Sequence, residues 1–394
     1  MRAYLALWVL VCHVLWFSGY TERALSGPIK LLGQGRWPVD VFMIISGFVI
    51  FFALDRQQES WPAFLVRRFF RLFPLFIVLF LAAIAVCALT SWNVALLGKY
   101  WAPDQLQHVR GLIVSWWRNI HWHLPVHLLM IHGAVPRSVL PESPGAFLLS
   151  AWSISLEWQF YLVAPLAFFL ATNSKRFYRT GLCVMCALLS VPGRKFFPSV
   201  DFDAALPFHL EFFFIGCVSY FLYKRNSEQC ICDTWFPVCC AIAFFFLALG
   251  GRSLLALPVA LWIAFFGLML EHPDSLPARC ITPLFTARFP QFLGRVSYSV
   301  YLVNLLIIAV AQRALLILAP QLSQFAHFWL LLALTFAVTI PVSALLYHFI
   351  EAPGIRLGRF FALKLASAPD KLAGRPELIH PPQTQAREII IAQQ

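Results

Sequence analysis

Charged residues are scarce in this chain of 394 residues: Asp, Glu, Lys and Arg make up 12% of it, whereas 60% of the residues are hydrophobic. Soluble domains carry about 25% charged residues, so this shortage excludes an ordinary water-soluble enzyme. Basic residues outnumber acidic ones, 30 to 18, but no segment resembles a nucleic-acid-binding module. The composition predicts an all-α membrane protein, because a helix satisfies its own backbone hydrogen bonds in lipid.

Paired cysteine motifs and internal repeats are also lacking. Cys230 and Cys232 stand without the second half of a zinc site, and most other cysteines lie in apolar stretches, where they act as small apolar residues. No repeat indicates a transporter built from two halves. The first apolar stretch lacks a clear small-x-small cleavage site, which favours a membrane span over a signal peptide.

Long apolar stretches predict a polytopic bundle of membrane helices. Lys and Arg collect in alternate connecting segments, and the positive-inside rule then places both termini in the cytoplasm. We expect a membrane domain over residues 1–353 and a short, disordered cytoplasmic tail over 354–394. About ten transmembrane helices are predicted, over residues 3–19, 39–54, 73–90, 155–171, 180–192, 207–223, 236–250, 253–270, 297–318 and 327–350.

Two ionisable residues mark the first span: Arg2 immediately precedes it, at the cytoplasmic rim, and His13 lies deep within it. Eleven positions correspond to about 20° from a whole number of turns and roughly 16 Å along a helix axis, so both lie on one face. An ionisable side chain inside a membrane is costly and usually functional. His13 is therefore a candidate catalytic residue; the alternative is a histidine that is hydrogen-bonded in a helix interface.

Acidic residues open two later spans. Asp40 lies near the outer end of the second span, with Ser46 further in, and Glu157 lies about one turn inside the fourth. Both carboxylates can reach the outer half of the bundle, where they could orient His13 as a base. In the alternative interpretation they cap helix starts or pair with loop arginines.

A basic cluster precedes the third span. Arg67, Arg68 and Arg71 form, with Arg2, a cytoplasmic rim that suits phosphate groups. The alternative is an anchor that obeys the positive-inside rule without binding a ligand.

The outer loop of residues 92–151 is rich in aromatic residues and histidines. His121, His123 and His127 have a spacing that could hold a metal ion, although no carboxylate accompanies them. The tryptophans suit the membrane interface. A surface that stacks on sugars remains a third interpretation.

Six segments of the chain follow one another as motifs of a known family: "RAYLALWVLVCH", "VDVFMIISGF", "RRFFRLFP", "WSISLEWQFYL", "LGRVSYSVYL" and "IEAP". Over residues 2 to about 353 the chain resembles the acyltransferase 3 family of membrane-bound O-acyltransferases. Members modify sugars of bacterial surface polysaccharides, lipid-linked glycans, signalling oligosaccharides or antibiotics.

The resemblance implies transfer of an acyl group, most often acetyl, from cytoplasmic acyl-CoA to a hydroxyl of a carbohydrate or glycolipid. Acetyl-CoA would be a donor substrate, with no tightly bound cofactor and no metal. The expected location is a multi-pass position in a bacterial inner membrane. The bilayer, the acceptor and polysaccharide-assembly proteins would be the partners, and nucleic acid would not.

The resemblance also implies roles for single residues. His13 would remove the proton of the acceptor hydroxyl or carry the acyl group, while Asp40 and Glu157 would position it or the acceptor. Asn304 stands where many members have a histidine, which leaves a catalytically silent membrane partner as a rival hypothesis. A transporter of a lipid-linked glycan is another. The expected donor-binding residues are Arg2, Ser46, Arg68 and Arg71.

Overall fold

The structure, a computed structural model, describes residues 1–20, 25–57, 59–93, 99–173, 203–227, 256–270 and 275–366. Within these ranges every regular element is a helix, as the composition predicts. The helices are α1 (Arg2–Phe17), α2 (Gly27–Leu32), α3 (Arg36–Gln57), α4 (Trp61–Asn93), α5 (Pro103–Arg118), α6 (Ile120–Leu128), α7 (Ala151–Thr172), α8 (Leu210–Ser227), α9 (Ala256–Leu270), α10 (Leu276–Thr286), α11 (Arg288–Leu318), α12 (Gln324–Leu346) and α13 (Ala352–Ala366).

Several of these helices are suited to cross a membrane. Two further helical segments are apolar but shorter than a typical membrane span, Arg2–Phe17 and Leu257–Leu270. The predicted spans at 180–192 and 236–250 lie outside the described residues, so the count of about ten stays a prediction, as does the side on which the termini lie. The five helices that are long and apolar enough are Arg36–Gln57, Trp61–Ala88, Ala151–Thr172, Arg288–Leu318 and Gln324–Leu365.

Helix α1 is inserted between two packed clusters. Ala3, Ala6 and Leu10 pack against α11 and α12, whereas Leu5 and Val9 belong to the larger cluster around α3 and α4. Because apolar residues occupy nearly every face, α1 is held on several sides by protein. This central position brings the polar residues of α1 into the interior.

Helices α3 and α8 cross at two glycines. A Cβ atom on Gly47 would lie 2.2 Å from the carbonyl oxygen of Phe213, and one on Gly216 would lie 2.0 Å from that of Ile44. Small residues at such crossings let the backbones approach closely, which is a common way of packing membrane helices. The crossing also fixes the depth of Ser46, the residue next to Gly47.

We expect Gly216→Val to destabilise the protein, because the new side chain has to separate α3 from α8. Overpacking of this kind costs about 1–3 kcal/mol or more. The measurement is the thermal unfolding midpoint of the purified protein in detergent. Gly267→Ala is the matched control, since a Cβ there meets nothing within 4 Å; equal midpoints for the two variants would contradict this account of the crossing.

The end of the described chain folds back on α4. A π-helical turn (Tyr347–Glu351) joins α12 to α13, and Phe361 of α13 stacks on Phe70 of α4 with ring centroids 5.5 Å apart. The beginning of the segment expected to be a tail is thus a packed helix. Residues 367–394 lie outside the described residues.

Candidate active site

The interior of the bundle contains a cavity of about 70 Å³ at the Arg2 end of α1. We call it the arginine cavity; among the residues that line it are Arg2, Ser46, Arg71, Glu157 and Tyr298. Five helices contribute to this cavity besides α1: α3, α4, α7, α8 and α11. Three residues expected to bind a donor, Arg2, Ser46 and Arg71, are thereby brought together.

Glu157 is the acceptor of hydrogen bonds in the arginine cavity. Ser46 donates its hydroxyl to Glu157 Oε1 at 3.0 Å, and the Tyr161 hydroxyl donates to the same oxygen. Glu157 also attracts the guanidinium groups of Arg2 and Arg71. Glu157 therefore accepts hydrogen bonds from Ser46 and Tyr161 and places a negative charge near the arginines.

Glu351 belongs to the same charge network, and the sequence analysis gave it no role. Its side chain is 2% exposed, accepts a hydrogen bond from the Ser299 hydroxyl at 3.0 Å and attracts Arg71 and Arg2. It ends the π-helical turn, a type of distortion that is frequent at functional sites. The "IEAP" motif and a lone acid at the end of an apolar stretch are the sequence signals that point to it.

The three arginines at the start of α4 have different surroundings. Arg67 forms an ion pair with Glu59, while Arg68 lies over the rings of Phe64 and Tyr161, 5.4 and 5.5 Å from their centroids. Neither of them lines the arginine cavity, in contrast to Arg71. Arg71 is thus the member of the cluster best placed to bind a phosphate in the interior.

His13 is hydrogen-bonded to Asn304. Its Nδ1 lies 2.7 Å from Asn304 Oδ1, and the Asn304 amide nitrogen donates to the carbonyl oxygens of Val300 and Tyr301 at 2.9 and 2.8 Å. Because the amide nitrogen is occupied by two acceptors, Oδ1 faces the imidazole and Nδ1 has to be the donor. His13 therefore keeps its second nitrogen, Nε2, as a base with a free lone pair.

A second cavity, of about 270 Å³, lies at the His13 end of α1. We call it the histidine cavity; Cys12, His13, Trp16, Leu149 and Leu305 are among the residues that line it. No described residue forms a hydrogen bond with Nε2 of His13, so this nitrogen is available to a molecule in the cavity.

The pair of His13 and Asn304 lies between the two cavities. On α11, Tyr301 lines the arginine cavity and Leu305, one turn further on, lines the histidine cavity. Asn304 is fully buried between them.

The two carboxylates expected to orient His13 are not among the residues that line the histidine cavity. Glu157 lines the arginine cavity, and Asp40 is fully buried in α3 and is not among the residues that line either cavity. The side chain that contacts the His13 ring is that of Asn304. Asn304, which stands where many family members have a histidine, thus forms the hydrogen bond with His13 Nδ1.

Two histidines of the outer loop, His127 and His132, stack on one another. The rings of His127 and His132 are parallel, with centroids 4.1 Å apart, and His127 also stacks on Phe80. Burial lowers the pKa of His123 and of His132 to about 4, so both are neutral at pH 7. Among the residues that the structure describes, no group of three or more potential ligands could hold a metal ion.

The geometry as a whole suits a transfer between two bound molecules. Basic residues outnumber acidic ones in the lining of the arginine cavity, which contains Arg2, Arg71 and Glu157. Such a site attracts an anion. The other end of α1 offers an imidazole whose Nδ1 is held by Asn304, so that Nε2 is the nitrogen placed to act as a general base.

Comparisons with known proteins agree with these features. A family model described as an acyltransferase domain matches residues 1–348. The peptidoglycan O-acetyltransferase OatA of Listeria monocytogenes is 26% identical over 346 residues, which make up 80% of this chain and 50% of that protein. The exopolysaccharide production protein ExoZ of Rhizobium meliloti is 24% identical over 344 residues, 82% of this chain and 91% of that protein.

A third relative, the acyltransferase MdmB of Streptomyces mycarofaciens, is 26% identical over 200 residues, 49% of this chain and 44% of that protein. The chain spans about half the length of OatA and less than half that of MdmB. No solved structure matches the chain. Because the family model covers most of its length, the chain belongs to the acyltransferase 3 family of membrane proteins.

Proposed function

We propose that this protein is an integral membrane O-acyltransferase that moves an acyl group, acetyl in the simplest case, from acyl-CoA to a hydroxyl of a carbohydrate. The observation that carries the proposal is the hydrogen bond between His13 Nδ1 and Asn304 Oδ1, which leaves Nε2 as a base beside a cavity. The names of two relatives, a peptidoglycan O-acetyltransferase and an exopolysaccharide production protein, support a carbohydrate of the cell envelope as acceptor.

The donor would bind with its phosphates at the arginine cavity. Arg2 and Arg71 supply the positive charge, and Glu157 and Glu351 hold the guanidinium groups in place. From Arg2 to His13 the helix rises roughly 16 Å. An extended donor that spans this length brings its thioester to the partition between the two cavities.

In the transfer step, Nε2 of His13 takes the proton of the acceptor hydroxyl as the oxygen attacks the thioester carbonyl. The C–S bond then breaks, the acyl group stays on the oxygen, and the imidazolium returns the proton to the departing thiolate. Asn304 keeps Nδ1–H in place throughout and stabilises the imidazolium by its carbonyl oxygen. No atom is oxidised or reduced in this step.

The family's usual arrangement supports a cytoplasmic position for the Arg2 end of the bundle and an inner-membrane location. The acceptor would then arrive at the His13 end from the outer side. Polysaccharide-assembly proteins that present the acceptor there are the expected partners.

We expect Arg71→Gln to weaken acetyl-CoA binding at least tenfold, because hydrogen bonds to charged groups contribute about 1.5–3 kcal/mol. Binding is measured with labelled acetyl-CoA on the purified protein. In parallel, mass spectrometry follows the acyl increment on surface glycans of a strain that lacks the gene and carries each variant at equal membrane level. The increment should fall with Arg71→Gln.

Arg67→Gln is the matched control, since Arg67 is paired with Glu59 outside the cavity and its loss should leave binding within about threefold of wild type. If both variants bound acetyl-CoA equally well, the arginine cavity would not be the donor site. If loss of the gene changed no glycan mass, the proposed function itself would be wrong.

A further inference from the structure

We propose that the histidine cavity is the acceptor site and that it takes one uncharged sugar ring, with a C–H face on the indole of Trp16 and a hydroxyl at Nε2 of His13. The proposal rests on the proposed function and adds to it the location and the class of the acceptor group. Three properties of the histidine cavity support it: the size of the cavity, its aromatic wall and its lack of charged side chains among the described lining residues.

The size of the histidine cavity suits a single ring. Its volume of about 270 Å³ lies just below the range of about 300–1,000 Å³ found for small-molecule pockets. The arginine cavity, at about 70 Å³, is much smaller. Of the two, the histidine cavity is therefore the one with room for a ring beside the imidazole.

Trp16 gives the cavity a rigid aromatic wall. It lies one turn beyond Cys12 and His13 on α1 and is 37% exposed. The Trp101 ring supports it at a centroid distance of 4.9 Å, and Trp101 is itself fixed by a hydrogen bond from Nε1 to the Phe17 carbonyl oxygen at 3.1 Å. An indole held in this way loses little entropy when a flat, apolar face of a ligand packs on it.

The charge of the cavity favours a neutral group. None of the described side chains that line it is charged; the polar ones are Cys12, His13 and Tyr20. The Cys12 thiol is already engaged with the Gly33 carbonyl oxygen at 3.0 Å. A phosphate or carboxylate would gain no ion pair from these described side chains, whereas Arg2 and Arg71 line the arginine cavity, so the two cavities favour ligands of different charge.

The test uses two variants that alter the cavity without touching His13. Trp16→Ala removes the aromatic wall, and Leu149→Trp fills the cavity from a position that is 37% exposed and tolerates a larger side chain. Each should lower glycan acylation about tenfold, measured as above in the complemented strain, while acetyl-CoA binding by the purified protein stays unchanged. Trp16→Phe should restore most of the acylation, since it keeps an aromatic face.

Two matched controls accompany these variants. Trp8→Ala removes a tryptophan of the same helix that contacts Trp37 and the Leu32 carbonyl oxygen and does not line the cavity. Val139→Trp enlarges a side chain of the same outer segment that is 73% exposed. Both should acylate glycans at the wild-type level.

Every other outcome overturns a specific statement. Wild-type acylation by Trp16→Ala and Leu149→Trp would show that the acceptor binds elsewhere. Loss of acetyl-CoA binding in these variants would assign the cavity to the donor. If the wild-type protein restored no acyl increment, the proposed function would fail and not this inference alone.

Discussion

Replacement of His13 by glutamine is expected to lower acylation of surface glycans at least 100-fold, because general acid–base catalysis contributes about 10²–10⁴ to a rate. Glutamine preserves much of the volume and can still meet Asn304, but it offers no basic nitrogen to the histidine cavity. The measurement is the acyl mass increment in a strain that lacks the gene and carries the variant at the wild-type membrane level. Acetyl-CoA binding should persist.

His327→Gln is the control for the loss of a buried histidine. His327 is 1% exposed in α12, stacks on Tyr100 and lines neither cavity. It should retain acylation close to the wild-type level. Full acylation by His13→Gln would contradict the mechanism and leave His13 as a packing residue.

Asn304→Leu should reduce acylation about 10–100-fold, the usual effect of removing a residue that orients a functional side chain. Leucine fills a similar space but leaves Nδ1–H without its acceptor, so the ring is free to rotate and to adopt the other tautomer. The defect should appear in turnover and not in acetyl-CoA binding. A loss of turnover without a loss of acetyl-CoA binding would mark Asn304 as a positioning residue.

Two further variants test whether Asn304 acts by orienting His13 or by stabilising the fold. Asn304→His should restore part of the acylation, because a neutral imidazole can accept the hydrogen bond from Nδ1. Gln312→Leu removes another buried amide of α11, which donates to the Phe17 carbonyl oxygen and lines neither cavity. If Gln312→Leu lost as much acylation as Asn304→Leu, the effect of Asn304 would be one of folding.

Sequence periodicity predicted the helices well because it reports on single elements. Apolar runs located α3, α7, α11 and α12, and the spacing of Arg2 and His13 predicted that one helix carries both, as α1 does. The residues at which helices begin and end were harder to predict from the sequence. Helix α4 begins at Trp61, well before the apolar run, since Arg67, Arg68 and their neighbours continue the helix as charged residues.

The contacts between helices could not be predicted in the same way. Depth along a helix follows from the sequence, but the offset and tilt between two helices depend on packing such as the crossing of Gly47 with Gly216. This is why Glu157 lies beside Arg2 and not beside His13. The partner of His13 is 291 positions away in the chain, and nothing local marks it.

The π-helical turn shows a further limit. Its wider winding changes the register between α12 and α13, and it directs Glu351 inward to Ser299. A hydropathy pattern read at the ordinary helical period has no means to detect such a local change.

Helix α1 also fixes the spacing between Arg2 and His13. Since Arg2 and His13 belong to one uninterrupted helix of 16 residues, helical rise sets the distance between the proposed phosphate site and the imidazole, and helical rotation sets the direction of the imidazole. A single inserted residue between them would lengthen their separation along the helix axis by about 1.5 Å and would turn His13 by about 100°, away from Asn304. Chain length in this segment is therefore as much a determinant of the chemistry as the identity of either residue.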